Sequence, residues 1–197
     1  MSFTAPQYIP GETDITLLLG RDSFEFEANR NILASQSKFF EKACYNEEFK
    51  EAKERLIKLP DIQLDTMMEV LAWLYRSEPK LPEDFTCNES TCRTLAVLSA
   101  ADFLQIDTLA KDYGTSFGKK LELIGQDSET KELLNCVKVM NGIYKARGSI
   151  QEEELFEWVK RIGTSGRQRL MSTCSLVEAP NGTFFQDLSC VILKAWR

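Results

Sequence analysis

The sequence predicts an α+β fold: a three-stranded sheet packed with a helical cluster, followed by an all-helical C-terminal extension. Three observations predict it. Two short strand-like runs, "DITLLLG" (14–20) and "FEFEANR" (24–30), lie one tight turn apart. A third, "RLIKLP" (55–60), follows a helical stretch and is ended by Pro60. From residue 65 onward the apolar residues recur every three or four positions, the period of a helix. A small sheet with its helices placed mostly after it is the α+β pattern.

Residues 1–12 contain Pro6, Pro10 and Gly11 and read as an irregular arm. "DITLLLG" is a short apolar strand of the kind buried on both faces. Gly20 to Ser23 form a turn. "FEFEANR" alternates, with Phe24, Phe26 and Ala28 on one face and Glu25, Glu27 and Asn29 on the other, so the two runs make a hairpin. Asn31 is placed to cap a short helix at 32–36, and Ser37 to cap the next, which carries Phe39, Phe40 and Cys44. "NEEFKEAKE" (46–54) is a charged loop around a lone Phe49. After the third strand, Asp65 or Thr66 caps a helix with Met67, Val70, Leu71, Leu74 and Tyr75 on one face.

"RSEPKLPED" (76–84) holds two prolines and reads as a loop. A helix over about 89–104 is apolar nearly all round and should be central. Asp107 caps another, with Leu109, Tyr113, Phe117, Leu121 and Ile124 in step. Beyond residue 125 the pattern stays helical. Leu133, Val137, Met140 and Tyr144 form a stripe, and Ser149-x-x-Glu152 and Thr183-x-x-Gln186 are capping boxes.

The 197 residues suit one domain, or one domain with an extension, and bury enough surface to fold without disulfides or metal. A net charge of −6 argues against nucleic acid or an anionic membrane as a partner, since both select for Lys and Arg. No apolar run reaches the roughly 18 residues that span a bilayer. The first residues lack the basic start and apolar run of a secretory signal. A cytoplasmic or nuclear setting follows, with the six cysteines as free thiols. The chain has no histidine, which removes Ser-His-Asp triads, Cys-His nucleophiles and His-ligated metals. No catalytic residue, metal ligand or cofactor is assigned. Cys87-x₄-Cys92 lacks a second pair and reads as two small residues at a helix start. The acidic run at 152–154 complements a helix dipole.

Taken in order, these segments resemble a BTB (POZ) domain over residues 13–124. "TDITLLLG" resembles the first core strand, and "FEFEANRNILASQSKFF" the next strand and helix pair. "EEFKEAKERLIKLPD" resembles the charged loop and third strand, "TMMEVLAWLYRSEPKLPED" the following helix and loop, and "TLAVLSAADFLQIDTLAKDYGTSF" the final helix pair. Residues 125–197 are similar to the helical tail of small stand-alone fungal BTB proteins. Two positions depart from the family pattern. Asn29 stands where His is usual; it begins the strand-to-helix corner, where Asn can cap in its place. The loop gives Cys44-Tyr45-Asn46, with Asn where cullin-binding members carry Glu; a shift of one gives Tyr45-Asn46-Glu47.

The resemblance implies a protein-interaction module that is not an enzyme. Its leading role is an adaptor that docks on a cullin, cullin-3 in this family, and presents a target for ubiquitination. The implied cullin-type surface is Phe40, Cys44, Tyr45, Asn46, Glu47 and Phe49. The other reading of that segment has Phe49 packed on the core and the Glu and Lys residues merely solvated. Asp14 and Arg30 match paired charges that line a docking pocket in repressor-type members, or else form an internal salt bridge that fixes the hairpin. The alternative role is oligomerisation or scaffolding in transcriptional or other regulation. Residues 1–12 are too few for the family's usual dimerising strand and helix, so a monomer or a non-standard oligomer is expected.

Overall fold

The computed structural model describes residues 12–76, 88–121 and 130–147, together with Ser172, Gly182, Gln186 and Ser189. The irregular arm, the two-proline loop, Cys87, both capping boxes, the acidic run and the closing helix fall outside the described residues, apart from isolated positions. The elements run β1 (Ile15–Leu19), β2 (Phe24–Ala28), α1 (Arg30–Gln36), α2 (Lys38–Tyr45), α3 (Lys50–Glu54), β3 (Leu56–Leu59), α4 (Leu64–Arg76), α5 (Asn88–Phe103), α6 (Asp107–Leu121) and α7 (Thr130–Arg147). The α+β expectation holds, with α7 adding helix beyond the sheet-bearing part.

The sheet has the order β2-β1-β3. β1 is central because its side chains are the most uniformly apolar. It pairs antiparallel with β2, Leu17 opposite Phe26, and parallel with β3, Leu17 opposite Ile57. Ile15, Leu17 and Leu19 are buried, while Thr16 and Leu18 are half-buried, so one face rather than both carries the core. The hairpin turns at Gly20, whose φ of +66° lies in the left-handed region that a Cβ disfavours, and the Ser23 amide donates to the Gly20 carbonyl at 3.2 Å. Phe26 and Ala28 point inward as expected. Phe24 is exposed instead, because it stands at the turn end, past the buried pair.

Three local readings are corrected. Of the two asparagines expected as caps, Asn29 is the cap of α1 and Asn31 is not: the helix starts at Arg30, and the Asn29 side chain accepts from the Asn31 and Ile32 amides. Asn29 is held there from afar, since its own amide donates to the Tyr75 hydroxyl at 2.9 Å and its Nδ2 to the Glu12 carbonyl at 2.9 Å. The charged segment is not all loop. Residues Lys50–Glu54 form the short helix α3, built of good helix formers with an exposed Lys50–Glu54 ion pair at 3.4 Å. Finally, α4 starts at Leu64, one residue ahead of the expected caps, with the Met67 amide on the Gln63 carbonyl and Thr66 buried within the helix.

The chain divides into two compact units, residues 1–78 with 100–108, and residues 79–99 with 109–197. In the first, Leu17, Leu33, Phe40, Ile57, Met67 and Leu71 are fully buried. Ser37 caps α2 as expected, accepting from the Phe40 amide. In the second, Val97, Leu98, Val137, Met140 and Tyr144 are buried. The α7 stripe is borne out at Val137, Met140 and Tyr144, and Asn135, Cys136, Val139 and Ile143 are buried as well, so that helix is covered on several sides. A Cβ on Gly142 would stand 2.3 Å from Leu95 Cδ2, so the absent side chain lets α7 approach α5 closely.

Candidate partner-binding surface

The surface is built on the corner where β2 turns into α1. Asp14 precedes β1, and its amide donates to the Ala28 carbonyl at 3.0 Å, which fixes it beside the end of β2. Its carboxylate takes two bonds from one residue: the Arg30 amide donates to Oδ1 at 2.9 Å, and Arg30 Nε to Oδ2 at 2.6 Å. Both side chains are about three-quarters covered, at 24% exposure for Arg30 and 29% for Asp14. Burial pushes the Asp14 carboxyl up. The Arg30 amide, the guanidinium bond and the charges of Arg30 and Arg55 outweigh it and hold the group below the ordinary aspartate value. The Arg30 guanidinium is correspondingly held above its own. The expected internal salt bridge therefore exists.

The same guanidinium reaches the second candidate group. Arg30 Cζ lies 5.5 Å from the centroid of the Tyr45 ring, within cation–π range. The Tyr45 hydroxyl donates a short hydrogen bond to Asn31 Oδ1. Asn31 thus has no capping role. It is a first-turn residue of α1 that faces α2.

Tyr45 ends α2, and the chain then reverses around Asn46. The Asn46 amide donates to the Lys42 carbonyl at 3.0 Å, closing the helix. The Asn46 carbonyl accepts from the Phe49 amide, and its side chain accepts from the Glu48 amide, each at 3.0 Å. This last bond is an Asx-type turn that a short polar side chain makes readily. Asn46 is therefore half-buried and engaged in shaping the turn. Tyr45 and Phe49 are exposed at 47% and 45%, and Glu47 is exposed between them.

Of the six residues expected on this surface, Tyr45, Glu47 and Phe49 present side chains outward. Phe40 and Cys44 do not: both are buried, and they support the surface from beneath. The helical period explains the difference, since Phe40 and Cys44 are four residues apart and share the inward face of α2. Burial pushes the Cys44 thiol up to about 11, against the pull of Arg30, as befits a thiol packed beneath the surface.

One aromatic that sequence reasoning left among the core helices belongs outside. Phe103 is 56% exposed, and its ring lies 5.4 Å from that of Phe39, which in turn meets Phe40 edge-on. An exposed Lys38–Asp107 pair at 3.2 Å joins the starts of α2 and α6. The signal was available: Phe103 follows Ser99 by four residues and Asp102 by one, a polar stripe of α5.

Among the described residues no group of three or more potential ligands could hold a metal ion, and no helix is long and apolar enough to cross a membrane. A small mixed sheet, a helical cluster and outward aromatics beside a fixed turn define a binding module. A family model of the BTB/POZ domain matches residues 10–121, more than half of the chain, and the chain belongs to that family. BTB/POZ domains are protein–protein interaction modules and in general not enzymes. No curated protein matches the chain.

Proposed function

We propose that this BTB/POZ chain is an adaptor that docks on a cullin scaffold, cullin-3, through the end of α2 and the turn after it. The reading rests on one observation: two aromatics, Tyr45 and Phe49, stand exposed on either side of a turn that Asn46 holds with three hydrogen bonds. Exposed aromatics on a rigid support are the residues that most often anchor an interface, because little ordering entropy is lost when they are covered. Glu47 lies at the rim of that pair, where a charge selects partners more than it adds affinity. In this reading Asn46 shapes the turn and Glu47 supplies the acidic group.

The test is a calorimetric titration of the full chain with the cullin-3 N-terminal region. Micromolar or tighter binding that Tyr45→Ala and Phe49→Asp each weaken supports the adaptor role. Absence of binding at micromolar concentration overturns it. Light scattering on the same sample gives the mass, and a stable dimer would favour an oligomerisation role instead.

A further inference from the structure

We propose that Asp14, Arg30 and Asn31 act as a clamp that fixes the Tyr45 ring, so that the charged pair is a positioning element of the docking turn and not a separate pocket. The inference rests on the docking reading above and goes beyond it by joining two groups of residues that the sequence presents as independent.

An exposed tyrosine at the end of a helix ordinarily moves among rotamers on a fast timescale. Tyr45 is held at two points. Its hydroxyl is bonded to Asn31 Oδ1, and its ring face lies against the Arg30 guanidinium. Each holder is itself held. Asn31 donates its amide to Asn29 Oδ1 in the first turn of α1. Arg30 is fixed through both its amide and its Nε by the one carboxylate of Asp14, and Asp14 is fixed to β2 by the hydrogen bond its amide donates to the Ala28 carbonyl. The Arg30 arm therefore runs from β2 through Asp14 to the face of the tyrosine ring, and the Asn31 arm from the first turn of α1 to its hydroxyl. A planar guanidinium suits this position, because it can bond a carboxylate in its plane and stack a ring against its face. A lysine ammonium cannot do both. A ring already fixed gives up less freedom when a partner covers it, which is worth about 2- to 10-fold in affinity, tenfold being about 1.4 kcal/mol.

The experiment has two arms, each on the full chain. In the first, NMR of ring-labelled tyrosine follows Tyr45, its signal assigned by its disappearance in Tyr45→Phe. The expected result is a single rotamer in the native chain and rotamer averaging in Asn31→Ala and Arg30→Lys. Averaging in the native chain overturns the clamp. In the second arm, both variants are titrated with the cullin-3 N-terminal region. The expected result is a 2- to 10-fold loss of affinity that vanishes when Tyr45→Ala is already present. Native affinity in both variants despite a loosened ring overturns the positioning role. If the native chain does not bind cullin-3, the docking reading fails, and the first arm alone decides whether the clamp exists. Asn31 is exposed, so Asn31→Ala keeps the test open should Arg30→Lys fold poorly.

Discussion

The Ser37 hydroxyl donates to the Leu104 backbone carbonyl at 2.6 Å while it accepts from the Phe40 amide at 3.1 Å. Ser37 ends α1 and begins α2, and it is almost fully buried. One side chain thus caps a helix and satisfies the carbonyl that follows α5. Both partners would be left buried and unpaired without it. Ser37→Ala is expected to destabilise the chain by about 1–3 kcal/mol, the sum of a lost cap and a stranded carbonyl. Ser35→Ala, at an exposed hydroxyl bonded only within its own helix, should stay within about 0.5 kcal/mol. Urea denaturation of the two variants checks the contrast. Equal midpoints would refute it.

Acid should find Asp14. Its carboxyl is held below the ordinary value in the folded chain, so the folded state favours the ionised form. The resulting stability is present above the unfolded aspartate range, near about 3.9, and is lost as pH falls through the lower folded value. Asp14→Asn is expected to be less stable than the native chain at pH 7, with the gap shrinking below about pH 4. Thermal unfolding at pH 7 and pH 3 measures this. A gap that does not narrow would mean the pair with Arg30 contributes nothing that depends on ionisation.

Thiol reactivity should separate the cysteines. Cys92 is exposed, whereas Cys44 and Cys136 are buried, and burial raises the Cys44 thiol to about 11. The thiolate is the reactive form, so Cys44 is both covered and protonated at pH 8. With iodoacetamide under native conditions Cys92 is expected to label first among the three described cysteines, and Cys44 and Cys136 only after denaturant is added. Peptide mass spectrometry reads out each site. Rapid native labelling of Cys44 would show that the inner face of α2 opens easily.

The hairpin turn depends on backbone freedom and not on space. A Cβ at Gly20 would meet only ordinary contacts, the nearest being Leu64 N at 3.7 Å, yet φ is +66°. Gly20→Ala should therefore cost about 1–2 kcal/mol from conformation alone. Gly20→Asn should cost less, because a short polar side chain tolerates the left-handed region. The two variants would be ranked by denaturation midpoint, and the reverse order would point to a steric cause.

The strands, the Ser37 cap and the helix order were legible because each is written in a local period or a capping residue. The choice between Asn29 and Asn31 as the cap has a different origin. Both Asn29 and Asn31 suit a helix start, and the choice is made by Tyr75 and Glu12, which meet Asn29 only after the chain has folded. The short helix α3 was hidden because five Glu, Lys and Ala residues look alike in a loop and in a single helical turn. At the candidate surface the charged segment and its two aromatics could be located from sequence, but whether Phe49 packs on the core or stands exposed could not. The burial of Phe40 and Cys44 could be read too, from helix spacing, had the family pattern not grouped them with Tyr45. The contact of Arg30 with Tyr45 could not be, since it requires the β2–α1 corner to bring α1 beside α2.

The sheet carries one more consequence. β2 and β3 both pair with β1 and not with each other, so the segment between them, which contains the Asn46 turn, is a crossover without a register to keep. Closing such a connection becomes harder only slowly with length, by about 0.6 kcal/mol for each doubling. Residues can accordingly be inserted or removed between α2 and α3 while every strand stays in phase. The candidate surface is thus the part of the domain whose reach can be redesigned without rewriting the architecture beneath it.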